Sequence, residues 1–269
     1  MPHAISEGTR IYWEESGTGA PLLLIMGLGY SHEMWHRTLP MVSAHYRTIL
    51  FDNRGVGKSD APRGSYSIAQ MADDTAAVLD AAGVANAHVF GLSMGGMIAQ
   101  EFALKYPERV NRLVLGCTAC GGRNAIPAAQ TVVDVVMARA RMTPEEGAEA
   151  MVPYIYDRST PRERIEEDLT IRRRTYPEAA GYMGQVQAIF AWTSFDRLKR
   201  IGAPTLIIHG DTDQLVPPEN ARILVQTIVG SRLVMLPHAS HIFVTDQTAA
   251  SHREVLAFLS GEKSADHVR

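Results

Sequence analysis

The chain has 269 residues and a formal charge of −3, with 46% hydrophobic and 20% charged residues. That length suits one large domain burying roughly 75% of the surface its unfolded form would expose. The near-neutral balance offers no basic face for nucleic acid, and apolar runs such as Leu22–Met26 and Thr205–Ile208 are far too short to span a bilayer.

The opening Met1-Pro2-His3-Ala4-Ile5-Ser6 has neither the basic start nor the apolar core of a secretion signal, so a cytoplasmic location is expected. Ala4–Ser6 and Arg10–Ser16, separated by Glu7-Gly8-Thr9, are expected to form an antiparallel hairpin at a sheet edge. Leu22–Met26, Thr48–Phe51, His88–Phe90 and Leu113–Gly116 are apolar runs with no polar face. That is the pattern of strands in a parallel sheet covered on both sides. Between them, helices are expected over His32–Ser43, Ser67–Ala82 and Gly96–Tyr106. From about Arg123 to Phe195 the alternation stops. This segment is Met- and Arg-rich, helical in character, and broken by Pro127, Pro144, Pro153, Pro161 and Pro177. Strand and helix resume at Thr205–His209, Pro218–Val229, Leu233–Leu236 and Thr248–Leu259. Such alternation predicts an α/β fold with a mostly parallel, doubly wound sheet and an antiparallel edge hairpin. Residues 1–122 and 196–269 are assigned to its core, and 123–195 to a helical insertion. Ligands of open parallel sheets bind beyond the carboxyl ends of the strands, so an insertion leaving from one of those ends is placed to act as a cap.

The run Val89-Phe90-Gly91-Leu92-Ser93-Met94-Gly95-Gly96-Met97 carries the spacing G-x-S-x-G where a strand meets a helix. A serine hydroxyl is a poor nucleophile unless it is held exposed, aimed and beside a base; a sharp strand-to-helix turn does the first two. The central residue of such a turn is strained, and side chains at the flanking positions would clash, so glycines fit there. The helix start also offers the Met94 N–H to a developing negative charge. Read alone, these residues equally fit a plain tight turn with Ser93 as a helix cap.

A nucleophilic serine needs a base, and the base needs an orienting carboxylate. Asp211 and Asp213 follow the strand Thr205–His209, and His238 and His241 follow Leu233–Leu236, so both pairs fall on the sheet edge that carries Ser93. Cys117 and Cys120 are the chain's only cysteines. Without a second pair or a thioredoxin-like context, they read as buried thiols at a strand end rather than a redox or metal site. Gly57-Lys58-Ser59 and Gly27-Leu28-Gly29 lack the remaining glycines of a phosphate loop or a dinucleotide fingerprint and read as turns. Arg172-Arg173-Arg174 reads as a solvated helix face, with recognition of an acidic substrate as the alternative.

Taken together, the elbow, Asp52-Asn53-Arg54-Gly55-Val56-Gly57-Lys58-Ser59, Gly210-x-x-Asp213-x-x-x-Pro217 and the late His241 resemble the α/β-hydrolases with a helical cap, over essentially the whole chain. The resemblance implies Ser93 as nucleophile, Asp213 rather than Asp211 as the acid, and His241 rather than His238 as the base. It also implies a second oxyanion donor beside Met94 N–H, namely Leu28 N–H in the loop Gly27-Leu28-Gly29. Met26 stands where family members usually have histidine, so the hydrogen bonds that brace this loop must differ. Gly27, Gly29, Trp35, Phe190 and Trp192, with Met34, Met94, Met137, Met142, Met151 and Met183, are candidates to line an apolar pocket.

The sequence is similar to small carboxylesterases and oxoadipate enol-lactonases. That similarity implies hydrolysis of a small-molecule ester, with neither a metal nor an organic cofactor, and without a nucleic-acid or membrane partner. Serine at the nucleophile position weighs against dehalogenase and epoxide hydrolase chemistry, which use a carboxylate there. Carbon–carbon bond hydrolysis, perhydrolase chemistry and a receptor role on the same scaffold stay open. So does the choice between monomer and homodimer.

Overall fold

The computed structural model describes residues 2–261; the end of the core segment 196–269 lies outside them. Eight strands form one sheet: β1 (His3–Ser6), β2 (Thr9–Ser16), β3 (Ala20–Ile25), β4 (Tyr46–Phe51), β5 (Ala87–Leu92), β6 (Val110–Gly116), β7 (Thr205–Gly210) and β8 (Arg232–Leu236). Their order is β1-β2-β4-β3-β5-β6-β7-β8. The hairpin partners β1 and β2 are antiparallel, as are β2 and β4; every later pairing is parallel. The carboxyl ends of β3, β5, β6, β7 and β8 therefore share one edge.

Helices α1 (Leu39–Ser43), α2 (Ile68–Ala81) and α3 (Met94–Lys105) alternate with the first strands. Between β6 and β7 lie α4 (Gln130–Ala138), α5 (Pro144–Glu149), α6 (Val152–Ile155), α7 (Arg162–Arg174) and α8 (Ala179–Ala191). The chain closes with α9 (Glu219–Thr227), α10 (Phe243–Asp246) and α11 (Thr248–Ser260). No helix among the described residues is long and apolar enough to cross a membrane.

Central strands are apolar on both faces because both are covered. In β3, Leu23 and Ile25 pack into one core with Ile98 and Phe102 of α3 and Leu79 of α2. Leu22 and Leu24 point the other way, into a second core with Trp35, Val255 and Leu259. This period of two is the geometry of the strand itself. At the open edge β8 is only half-buried except for Leu236.

Three elements depart from the sequence expectation. The helix expected over His32–Ser43 splits into a 3₁₀ turn at His32–Trp35 and the short α1. Pro40 lacks the N–H a continuous helix would need, so it sits in the first turn of a new helix, where that N–H would have no partner anyway. Conversely, α3 starts at Met94 rather than Gly96, despite the weak helix propensity of glycine. A Cβ on Gly95 would lie 2.1 Å from Ile25 O, and one on Gly96 would lie 2.6 Å from Thr118 Cβ; close packing on the sheet outweighs propensity. The third departure is Arg172, expected on a solvated face. It is buried with Ile165, Asp168 and Leu169 on the inner face of α7, the spacing of one helical stripe. Only Arg173 and Arg174 face outward, pairing with Glu149 and Glu166 and with Glu33 respectively.

Candidate active site

Ser93 sits between β5 and α3 with φ of 74°, a region that non-glycine residues occupy only where the surroundings impose it. Its backbone is held from three sides. The N–H donates to Gly116 O at 2.8 Å, and the carbonyl accepts the Met97 N–H at 3.1 Å and the Thr118 hydroxyl at 2.7 Å. A Cβ on Gly91 would stand 2.2 Å from Gly95 O, so the turn tolerates no side chain there.

His241 lies in the loop after β8, and Asp213 in the loop after β7. His241 Nε2 is 2.9 Å from Ser93 Oγ, and His241 Nδ1 is 2.8 Å from Asp213 Oδ2. An ionised carboxylate only accepts, so Nδ1 carries the proton, and in the neutral ring Nε2 is left to accept from the serine hydroxyl. Asp213 is fully buried and also accepts the Leu215 and Val216 N–H groups at 2.9 Å each. Burial, the largest single influence, would raise its carboxyl. The charge of His241 and hydrogen bonds from His209 and His241 outweigh it and hold the group at about 2. The other candidates of the pairs lie elsewhere. Asp211 is exposed, its carboxylate 3.4 Å from the Ala239 N–H, and His238 is exposed in a turn.

Leu28 and Met94 flank Ser93 in the wall of one cavity. Neither backbone N–H donates to a protein acceptor among the described residues. The loop that carries Leu28 is braced without a histidine at position 26. Asn53 Nδ2 donates to Met26 O at 2.8 Å, and the Tyr30 N–H donates to Gly27 O at 3.4 Å. That second bond fixes the plane of the Gly27–Leu28 peptide and hence the direction of the Leu28 N–H. Gln185 of α8 adds a brace that sequence reasoning missed. Its Oε1 accepts the Gly29 N–H and its Nε2 donates to Arg54 O, both at 2.8 Å. The only hint in the sequence was a pair of glutamines, Gln185 and Gln187, in a largely apolar helix; that Gln185 is the buried one shows only in the packed structure.

The main cavity has a volume of about 370 Å³ and includes Ser93 in its wall. Met94 and Met97 of α3, Val136 of α4, and Val186, Ile189 and Phe190 of α8 form much of its apolar wall. A smaller cavity of about 40 Å³ adjoins it, lined by Gly27, Leu28, Ser93, Tyr30, Arg139, Met151, Cys117 and His241 among others. Several pocket candidates do not reach either wall. Trp35 is fully buried in the second core, its ring 5.0 Å from that of Phe90, and lines neither cavity. Trp192 donates through Nε1 to Glu101 at 2.7 Å, which anchors it away from the cavity. Gly29 packs on Tyr182, Met34 is in the second core, and Met137 is exposed. Met142 and Met183 are half-buried outside both walls. Cys117 and Cys120 are buried, unpaired thiols. Burial, with the Asp213 charge next, pushes the Cys117 thiol well above its ordinary value.

Residues 20–247 match the sequence pattern of the alpha/beta hydrolase fold family. The chain is 31% identical over 246 residues to a poly(3-hydroxyalkanoate) depolymerase of Ectopseudomonas oleovorans, covering 90% of this chain and 85% of the relative. It is 32% identical over 275 residues to a 2-hydroxy-6-oxononadienedioate/2-hydroxy-6-oxononatrienedioate hydrolase of Burkholderia vietnamiensis, covering 96% and 94%. The crystal structure of the enol-lactonase from Burkholderia xenovorans LB400 superposes with a TM-score of 0.86 at 29% identity, covering 96% of this chain and 100% of that one. With the sheet order, the strand-to-helix serine turn and these likenesses in view, the chain belongs to the α/β-hydrolase family.

Proposed function

We propose that this chain is a serine hydrolase that cleaves carboxylic esters or enol-lactones through an acyl-enzyme. The observation that carries the reading is the continuous hydrogen-bonded line Ser93–His241–Asp213, whose serine lines the 370 Å³ apolar cavity. His241 Nε2 takes the proton from Ser93 Oγ as it attacks the carbonyl. Asp213 keeps the ring in the required tautomer and supports its positive charge. The Leu28 and Met94 N–H groups hold the developing oxyanion. His241 then protonates the leaving alcohol, and water activated by the same nitrogen frees the acid. Segment 123–195 serves as the cap, since α4 and α8 supply much of the cavity wall. Relatives described as an enol-lactonase and a poly(3-hydroxyalkanoate) depolymerase support this class of bond.

Hydrolysis of p-nitrophenyl esters of graded acyl length, beside Ser93→Ala, tests the reading. The substitution should abolish turnover, by about four orders of magnitude or more, and the chain-length optimum reports the depth of the cavity. A Ser93→Ala protein that keeps about a tenth of wild-type turnover would refute the nucleophile. A second reading, hydrolysis of a carbon–carbon bond beside a ketone, draws on the relative whose name specifies an oxo-dienedioate. Turnover of a vinylogous diketone with none of any ester would decide for it.

A further inference from the structure

The loops after β7 and β8, which carry Asp213 and His241, are turns without regular structure. The backbone on both sides of His241 is fixed from outside its own loop. The Ile242 N–H donates to Ile155 O at 2.9 Å, and the Ser240 N–H donates to Asp246 Oδ2 at 2.7 Å. Ile155 ends α6, within the insertion 123–195. Asp246, the last residue of α10 and 8% exposed, reaches the same insertion through its remaining contacts. Its Oδ2 also accepts the Asp157 N–H at 3.2 Å, and its Oδ1 accepts the Thr160 hydroxyl at 2.6 Å. The acid loop is tied to the insertion as well. Asp157 Oδ2 accepts the hydroxyl of Thr212, the neighbour of Asp213, at 2.8 Å, and Pro153 O accepts Gln214 Nε2 at 3.2 Å. The Thr212 N–H in turn donates to Ala239 O at 2.9 Å, which joins the acid loop to the histidine loop.

Residues 153–160, running from α6 toward α7, therefore strap both loops, while α4 and α8 of the same insertion wall the main cavity. We propose that Asp246 is a positioning residue through which the cap segment 153–160 holds His241 in line with Ser93. Asp246 lines neither cavity and acts by fixing the peptide that precedes His241, as Ile155 O fixes the one that follows. This assignment rests on the triad reading above. Displacing a catalytic group by about 1 Å can cost about a hundredfold in rate, so the anchoring of this one peptide bears directly on turnover. The role is geometric rather than ionic. In Asp246→Asn the amide oxygen takes the place of Oδ2 and accepts the Ser240 and Asp157 N–H groups. The amide nitrogen then faces Thr160, whose hydroxyl accepts as readily as it donates. Asp246→Ala removes every one of these bonds.

The test measures kcat and KM on a p-nitrophenyl ester, together with the rate constant for phosphonylation of Ser93 by excess alkyl p-nitrophenyl phosphonate, which releases one p-nitrophenolate per serine. Well below the melting range, loss of folded protein lowers the amplitude of that release and leaves its rate constant unchanged. Asp246→Ala should lower kcat and the phosphonylation rate constant together, by about tenfold or more, with KM within about twofold of wild type. Asp246→Asn should restore both to within about threefold. Thr160→Val, which removes one bond on the cap side only, should lower both by about threefold or more. Wild-type rate constants in Asp246→Ala, with a lowered melting temperature, would overturn the positioning role and leave the triad reading intact. A slow Asp246→Ala beside a Thr160→Val that matches wild type would overturn the part of the cap. An Asp246→Asn as slow as Asp246→Ala would overturn the geometric account. Should Asp246→Ala fail to fold, Thr160→Val decides by the same two rate constants. A wild-type protein that is not phosphonylated at Ser93 refutes the triad reading itself, and that outcome is seen without any substitution.

Discussion

Asp213→Asn separates the chemical role of this carboxylate from its structural one. The two backbone donors, Leu215 and Val216 N–H, both meet Oδ1 at 2.9 Å, so the amide oxygen of asparagine belongs there. The amide nitrogen is then turned toward His241 Nδ1, now 2.8 Å from Oδ2. An amide nitrogen only donates, so Nδ1 must accept and the ring proton moves to Nε2. That nitrogen then faces Ser93 as a donor and cannot take its proton. Activity should fall by about 10⁴ in a protein that keeps its fold. Stability follows the same group. A carboxyl held at about 2 instead of the ordinary 3.8 is displaced by nearly two pH units, which at about 1.4 kcal/mol each amounts to about 2 kcal/mol. Because the folded value is depressed, this stabilisation is present above pH 4 and is lost as pH falls through 2. Urea unfolding of wild type and variant should therefore differ by about 2 kcal/mol at neutral pH and converge in acid. Initial rates on a p-nitrophenyl ester give the other readout. Turnover above about a hundredth of wild type would refute the tautomer reasoning, and a stability difference independent of pH would refute the depressed carboxyl.

Gln185→Leu removes both bonds of the brace, leaving the Gly29 N–H and Arg54 carbonyl without their partner. Unpaired buried groups cost about 1–3 kcal/mol each, so the melting temperature should fall. If the brace also positions Leu28, kcat should drop about tenfold while KM for the same ester holds; a lowered melting temperature with unchanged kcat would make Gln185 structural only. Asp246 accepts the Ser240 N–H at 2.7 Å, next to the catalytic candidate His241. Burial is the main cause that pushes its carboxyl up to about 6. A raised value stabilises the fold below the ordinary 3.8, and that contribution is lost as pH rises through 6. Wild type should therefore gain up to about 3 kcal/mol from pH 7 to pH 4 relative to Asp246→Asn, measured by chemical unfolding at each pH. Parallel profiles would show that Asp246 does not titrate in this range.

What the sequence reveals depends on whether the cause is local. Gly91 and Gly95 are legible because their demand is steric and lies within the turn or the adjacent strand, at 2.2 Å from Gly95 O and 2.1 Å from Ile25 O. The order serine, aspartate, histidine is legible because parallel strands put their carboxyl ends on one edge. Choosing Asp213 over Asp211 needed the family pattern, since the feature that separates them is the fold of the loop onto Leu215 and Val216 N–H. Arg172 was countable. Ile165, Asp168, Leu169 and Arg172 follow the spacing of a single buried stripe, and the run of three arginines hid it. Trp35, Trp192 and Gln185 were beyond such counting, because their surroundings come from distant segments; the partner of Gly29 is 156 residues away.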